Sequence, residues 1–432
     1  MTLRHLVARW LPTARHQRGR ALMTIGTGSA VVVPLLLAPV WGRAFPVGDF
    51  AVAALLQVIP GLVTSWAAFA FQAAIQTPEA EKDALALVVL AFALTAAVAG
   101  VVGIVLYGAG PSLVIALRNP GLTPWLWAIP VLILSNSIRL IVDQWMIRRG
   151  MMGELGLALL ASTVASAGLM ATGVVFPSKT NSVVLGLVGG TAFGALWRLG
   201  RSRIGAALLE HPPSCASVAI VAKRYSNFPR DVVSGSVLSN IGLQVPQVFL
   251  ARYFGTDVVG QYSRAMVLVG VPASVLGQPI AATLAGEAGK AYRTAGDCRA
   301  EVAAALRSLV VTLVPAYVVL GLLSPLLIPM FLGPAWLPAG QMAQPMVASM
   351  LGSSIGGPFG VILLIANRTG TNLLWQMAWL LLSLSALGFG VKLGTPVATL
   401  WLLAVANLIS YGTYAWLAYR FAQASTAGTN QR

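Results

Sequence analysis

The sequence predicts an all-α polytopic membrane protein, with twelve transmembrane helices in two six-helix bundles and both termini in the cytoplasm. Three observations predict it. Hydrophobic residues make up 57% and charged residues only 9% of the 432 positions, with mean hydropathy +0.80. Soluble domains carry roughly 25% charged residues, so a soluble chain this long could not cover its surface and lipid must be its main solvent. Uncharged stretches also recur along the chain at lengths near the roughly 20 residues that cross a bilayer. Finally, the 28 Lys and Arg residues are distributed unevenly between the connecting segments.

Taken in order, the uncharged stretches place spans at about 21–42, 50–76, 84–108, 124–146, 155–177, 181–197, 231–251, 258–286, 305–331, 339–366, 371–391 and 395–418. Basic residues up to Arg20 precede an apolar run from Ala21 to Gly42. That run is too long for a typical signal-peptide core and many spans follow, so it reads as an uncleaved first span. Upstream, Leu3, Leu6, Val7, Trp10 and Leu11 recur at helical spacing around Arg4 and Arg9. This suits a short interfacial helix on an anionic leaflet; the other reading is a frayed basic tail. The third span ends at Gly108-Ala109-Gly110-Pro111. Ser308 to Asn367 carries no charge, and it is split at Gly333-Pro334-Ala335-Trp336-Leu337-Pro338, a turn-rich segment with an interfacial tryptophan.

With the N-terminus inside, the cytoplasmic segments hold twenty Lys and Arg. The outer loops hold five: Arg43, Arg118, Lys179, Arg252 and Lys392. Basic residues stay on the cytoplasmic side, so this asymmetry sets both termini inside. It also accounts for the net charge of +16 without a nucleic-acid partner. Both cysteines, Cys215 and Cys298, fall in expected cytoplasmic loops and are expected as free thiols. No zinc-type spacing occurs, and no metal or cofactor is expected.

The longest loop, 198–230, reads as a cytoplasmic linker. It divides the chain into an N-terminal bundle (1–200), a linker (201–230) and a C-terminal bundle (231–432). A weak internal repeat relates the halves. RAFPVGDFAVAALLQVIPGLV from Arg43 and RYFGTDVVGQYSRAMVLVGVPASVLG from Arg252 each run Arg, one residue, Phe, a turn with Asp, then an apolar helix containing Pro. Internal repeats are common in transporters; chance similarity between apolar helices is the competing account.

Four sets of residues could carry chemistry. Arg264 lies among apolar neighbours in span eight, and an arginine at the bilayer centre costs about 3 to over 10 kcal/mol. It either faces a wet interior or snorkels at the outer rim, because Glu287 is 23 residues further on, roughly 34 Å of helix. In span four, Arg139 and Asp143 stand i,i+4 with Asn136 on the same face. They form either an idle self-neutralised pair or a gate. Uncharged polar stripes follow helical spacing: Ser236, Asn240, Gln244 and Gln247 in span seven, and Gln57, Gly61, Ser65, Ala68, Gln72 and Gln76 in span two. Arg20, Thr24 and Thr27 share a face of span one, and Gln261 joins Arg264 in span eight. Such residues can be interhelical hydrogen-bond glue. Four helices with stripes, the first two of each half, read jointly as a wet cavity. Amides and hydroxyls there suit sugar hydroxyls, and arginines suit phosphate.

Absences narrow the class. No outer loop is long enough for a sizeable catalytic region, and no Asp-x-Asp, His-Glu-x-x-His or Walker motif occurs. Asp143 is the one carboxylate clearly inside a span, where a carrier of cationic drugs needs acids.

Residues 222–293 resemble the second-half signature of bacterial polysaccharide transporters, the O-antigen-type flippases of the superfamily that includes multidrug extruders and the lipid II flippase. The resemblance rests on Tyr225, Phe228-Pro229, Phe254-Gly255, Gly260 with Tyr262, and Pro272. FPVGDFAVAAL and AFQAAIQTP in the first half and FLGPAWLPAG between spans nine and ten are also similar to that family. The resemblance implies two V-shaped six-helix bundles, alternating access and a lipid-linked oligosaccharide as substrate, in the bacterial inner membrane. YSRAMVLVGVP places Arg264 like a cavity-lining arginine of the lipid II branch, whereas twelve spans fit the polysaccharide branch. On this reading Arg264, Gln57, Gln72, Asn240, Gln244, Gln247 and Gln261 meet the substrate, and Arg139, Asp143 and Arg20 act as a gate. Membrane lipids, a polysaccharide polymerase and a chain-length regulator are the expected partners. A cation-coupled multidrug extruder and, behind it, a membrane glycan polymerase are the competing functions.

Overall fold

A computed structural model describes residues 14–176 and 181–423, with the backbone alone at 14–18, 20, 228, 230–232 and 234. The expected interfacial helix at 3–11 lies outside the described residues. The regular secondary structure of the described residues is helical, with one isolated bridge between Asp297 and Gln423.

The helices, in order, are α1 (Ala14–Ala44), the short α2 (Val47–Leu56), α3 (Val58–Val63) and α4 (Phe71–Ala74), then α5 (Glu81–Ala116), α6 (Ala128–Arg148), α7 (Met152–Val175) and α8 (Ser182–Arg201). Next come α9 (Ile204–Glu210), α10 (Cys215–Arg224), α11 (Asn227–Phe254), α12 (Thr256–Val269) and α13 (Gln278–Ala295). The chain closes with α14 (Arg299–Leu332), α15 (Leu337–Gly356), α16 (Gly360–Ile365), α17 (Thr369–Lys392) and α18 (Pro396–Phe421). Among the described residues nine helices are long and apolar enough to cross a membrane, or ten if the α9–α10 pair is one bent span. The chain is a multi-pass membrane protein. Three expected spans fall outside the nine: 50–76 is broken, and α6 and α11 are long but too polar.

The break in 50–76 has a local cause. The helix interrupts at Gln57, and Pro60 offers no N–H to rejoin the preceding turn. The chain then unwinds, with Phe69 and Ala70 at positive φ (49° and 59°). Gln72 Nε2 donates to the Ser65 carbonyl at 2.9 Å and closes the unwound turn. The regular stripe expected along this span therefore does not exist as one helical face. Two other boundaries also differ from expectation. α5 runs through Pro111 to Ala116, so the Gly-Ala-Gly-Pro run does not end it. Residues 201–230 are helical rather than an open loop: α9 and α10 meet at a 113° bend, and Ile204, Ala207 and Val221 are buried with Trp145, Met146 and Leu85.

Packing divides the chain into two compact units. One holds the described residues up to Ala38, Leu56–Ile115 and Pro120–Val233; the other holds Pro39–Leu55, Ala116–Asn119 and Ser234 onward. The last turns of α1 and most of α2 thus pack with the later part of the chain.

In the first unit, glycines set the tightest approaches. A Cβ on Gly26 would lie inside the Gly156 carbonyl, and one on Gly156 inside that of Leu22. Gly186, Gly190 and Gly194 of α8 lie against Met170, Ser166 and Ser162 of α7, matching two i,i+4 series. Without water to drive association, such small-residue contacts hold transmembrane helices together. A Gly190→Val substitution, whose Cβ meets the Ser166 backbone, should cost about 2 kcal/mol or more, read as a lowered melting temperature in detergent.

The two thiols are free, but they differ. Cys215 is exposed at the start of α10. Cys298 precedes α14, is buried, and donates to the Ala422 carbonyl at 3.3 Å. Burial, reinforced by Glu301 and Asp297, pushes its thiol up to about 11, leaving about one part in a thousand as thiolate at pH 8. Maleimide should label Cys215 in the folded protein and Cys298 only after unfolding. Rapid labelling of a Cys215→Ser variant in native membranes would contradict this packing.

Candidate functional site

Arg264 lies in the third turn of α12, within the second unit. Its guanidinium carbon stands 3.7 Å from the centroid of the Phe50 ring. Among the described residues it has no ion pair and no hydrogen bond. A guanidinium on an aromatic face gains up to about 2 kcal/mol when desolvated, and all five of its N–H donors remain free.

The surroundings hold that face in place. Phe50 meets Trp336 edge to face at 5.4 Å and Phe45 at 6.3 Å. Trp336 is fully buried and donates its indole N–H to the Gly42 carbonyl at 2.8 Å, so it is a packed anchor rather than the interfacial residue expected. Arg43 donates to the Met330 carbonyl at 3.0 Å. Gly260 fits against the Val47 carbonyl, where a Cβ would collide. Gly333 turns the chain at φ 114° into the 3-10 turn Pro334–Trp336. Gln261 is buried: its amide N–H donates to the Ala335 carbonyl at 2.8 Å and its oxygen accepts from the Ala339 N–H at 3.1 Å. Gln261 therefore pins the turn after Gly333, and both ends of its amide are taken by backbone. In this structure no part of that amide is left over for the substrate contact expected of it.

The other residues of the second unit divide. Asn240 donates to the Ser236 carbonyl one turn back, at 2.7 Å. The half-buried Gln244 has no hydrogen-bond partner among the described residues, and the Gln247 Oε1 is buried without one. They stand one turn apart on α11, leaving an amide and a buried carbonyl oxygen without a partner among the described residues.

In the first unit, Gln57 keeps its amide free at the helix break. Gln72 is committed to Ser65, with its Oε1 buried and unpartnered. Arg139 reaches Asp143 at only 3.9 Å. The strong partner of Asp143 is Arg198 of α8, Nε to Oδ1 at 2.8 Å, with Arg198 1% exposed. Arg198 also donates to Ser162 Oγ at 3.1 Å and to the Gly194 carbonyl at 3.0 Å, which leaves Nη2 unpartnered. The expected i,i+4 pair is thus a loose appendage to a buried cross-helix ion pair. In the sequence Arg198 reads as a linker residue, because the sixth uncharged run ends at 197; its signal is its place one turn beyond Gly194 on the glycine face. The side chain of Arg20 lies outside the described residues.

The match to known proteins falls on this region. The family model described as "Polysaccharide biosynthesis protein" matches residues 42–341, from the carbonyl that anchors Trp336 to just past the Gly333 turn. The chain belongs to the polysaccharide biosynthesis protein family. No curated protein sequence matches it. Among solved structures, the family member is similar to the lipid II flippase MurJ in an inward closed conformation, with TM-score 0.68, 14% identity, and 93% of this chain and 86% of that one covered. It is similar to an inward-facing multidrug resistance MATE family transporter of the MOP superfamily, with TM-score 0.63, 14% identity and 93% and 94% coverage. It is similar as well to a mutant of the Vibrio cholerae MATE transporter VcmN, with TM-score 0.58, 13% identity and 94% and 96% coverage. At these identities the shared property is the fold.

Proposed function

We propose that this protein is a flippase of the bacterial inner membrane. It carries an undecaprenyl-pyrophosphate-linked oligosaccharide from the cytoplasmic to the outer leaflet by alternating access, for surface polysaccharide biosynthesis of the O-antigen or exopolysaccharide type. The observation that carries the reading is Arg264: a half-buried guanidinium with no carboxylate partner among the described residues, backed by an aromatic face, inside the family-matched region. Such a group suits the two-oxygen face of a phosphate. Gln57, Gln244 and Gln247 supply amide groups for sugar hydroxyls. The twenty-to-five charge asymmetry supports both termini inside, and a polymerase and chain-length regulator would act on the delivered repeat unit.

A cation-coupled drug extruder needs an acid free to exchange its charge partner. Asp143, the candidate acid, is bonded to the buried Arg198, which favours the flippase. The test is reconstitution in proteoliposomes with a fluorescent undecaprenyl-pyrophosphoryl oligosaccharide in both leaflets. Protein-dependent access of the inner pool to an external quencher is the expected result. An inner pool that stays protected would refute the reading.

A further inference from the structure

The second unit contains an aromatic and polar pocket apart from Arg264 that none of the expected site residues lines. Its volume is about 90 Å³, a small cleft rather than a large cavity. Trp379 and Tyr411 form part of its wall, with ring centroids 6.0 Å apart. The indole is fixed from behind: its N–H donates to Asn407 Oδ1 at 2.7 Å, and Asn407 donates in turn to Ser349 Oγ at 2.6 Å. Trp375 lies parallel to Trp379 and stacks on Tyr414 at 3.7 Å, so the aromatic wall is rigid. Gly242 leaves the space the indole occupies, since a Cβ there would overlap the ring.

Three hydroxyls of the lining have no partner among the described residues. Ser383 Oγ is buried, in a residue 3% exposed, without a hydrogen bond. Tyr262 and Tyr411 also keep their hydroxyls unpaired among the described residues. An unpaired buried hydroxyl is costly, so a hydrocarbon occupant would leave that cost standing. Among the described residues the lining contains no acidic or basic side chain, so a charged occupant would find no counter-charge there. An uncharged pyranose meets both conditions: its C–H face lies on an aromatic ring, and its hydroxyls both donate and accept.

We infer that this pocket is a glycan subsite that takes an uncharged sugar residue of the carried oligosaccharide, stacked at Trp379 and Tyr411 and bonded to Ser383. The inference rests on the flippase reading. It adds that part of the cargo is neutral and that its recognition is separate from that of the pyrophosphate.

The test is lipid binding to the full-length protein, by native mass spectrometry. Undecaprenyl pyrophosphate is compared with the same lipid bearing a tetrasaccharide of neutral hexoses. The protein should prefer the glycosylated lipid by about tenfold or more. Ser383→Ala and Tyr411→Leu should reduce that preference to under threefold and leave affinity for the sugar-free lipid unchanged. Ser383→Ala removes only an unpartnered oxygen, so its folding is not at issue. Full preference in both variants would overturn the subsite while leaving the flippase reading intact. Equal loss of affinity for both lipids would overturn it in favour of a seat for the hydrocarbon chain. If the unmodified protein bound neither lipid, the flippase reading would fall and the subsite with it.

Discussion

Replacing Arg264 with alanine should cut glycolipid export by about 10- to 100-fold, since hydrogen bonds to a charged group are worth about 1.5–3 kcal/mol. The melting temperature should change little, because the side chain's one contact of note is the Phe50 ring, worth no more than about 2 kcal/mol. Arg264→Lys should recover only part of the activity: an ammonium keeps the charge but loses the planar fork that spans two phosphate oxygens. Phe50→Leu should weaken export less than Arg264→Ala, because it removes the support but not the charge. Export is read as the outer-leaflet pool of lipid-linked glycan, at matched protein levels. Unchanged export in Arg264→Ala would remove the arginine from the transport path and leave it as a packing residue on Phe50.

Arg198→Ala should destabilise the protein by about 3–5 kcal/mol, the usual penalty for removing one partner of a buried ion pair. The reason is geometric. Asp143 is 17% exposed and would keep only Arg139, at 3.9 Å, in place of a 2.8 Å contact. Ser162 and the Gly194 carbonyl would lose their donor as well. The double variant Asp143→Leu/Arg198→Met should recover much of the loss, since apolar replacement of a whole buried pair is often neutral. Thermal unfolding in detergent reads both. If the double variant regained stability but not export, the pair would have a role in transport beyond holding α6 to α8. If Arg198→Ala melted like the parent, the pair would contribute nothing to the packing.

The membrane class is legible because lipid exposure leaves a compositional mark that no local detail can hide. Among the described residues nine long apolar helices fall where uncharged runs occur, and the turn at Gly333 is visible because Gly and Pro punctuate an otherwise continuous run. Arg264 is legible as a lone charge. What the sequence hides depends on contacts distant along the chain. The unwinding at 64–70 lies in a run as uncharged as any helix, and it is held by Gln72 bonding to Ser65. Gln261 looks like a cavity amide, and only its opposition to residues 335–339 shows it to be a structural pin. Arg198 is misplaced by one residue of boundary error, an ordinary uncertainty at helix ends, and that error conceals the true partner of Asp143. The Trp379–Tyr411 pocket leaves a fainter trace. Trp375 and Trp379 stand i,i+4, as do Asn407 and Tyr411, but aromatic residues in apolar spans read as packing until the unpaired Ser383 is seen beside them.

The measurement that bears most directly on the central claim is mass analysis of lipid-linked glycans from cells lacking this protein. The account predicts accumulation of a completed undecaprenyl-pyrophosphate-linked repeat unit, whose mass identifies the cargo and includes at least one neutral sugar. Unchanged glycan lipids together with new sensitivity to cationic compounds would contradict it and place the protein among drug extruders, with Arg264 as a membrane anchor.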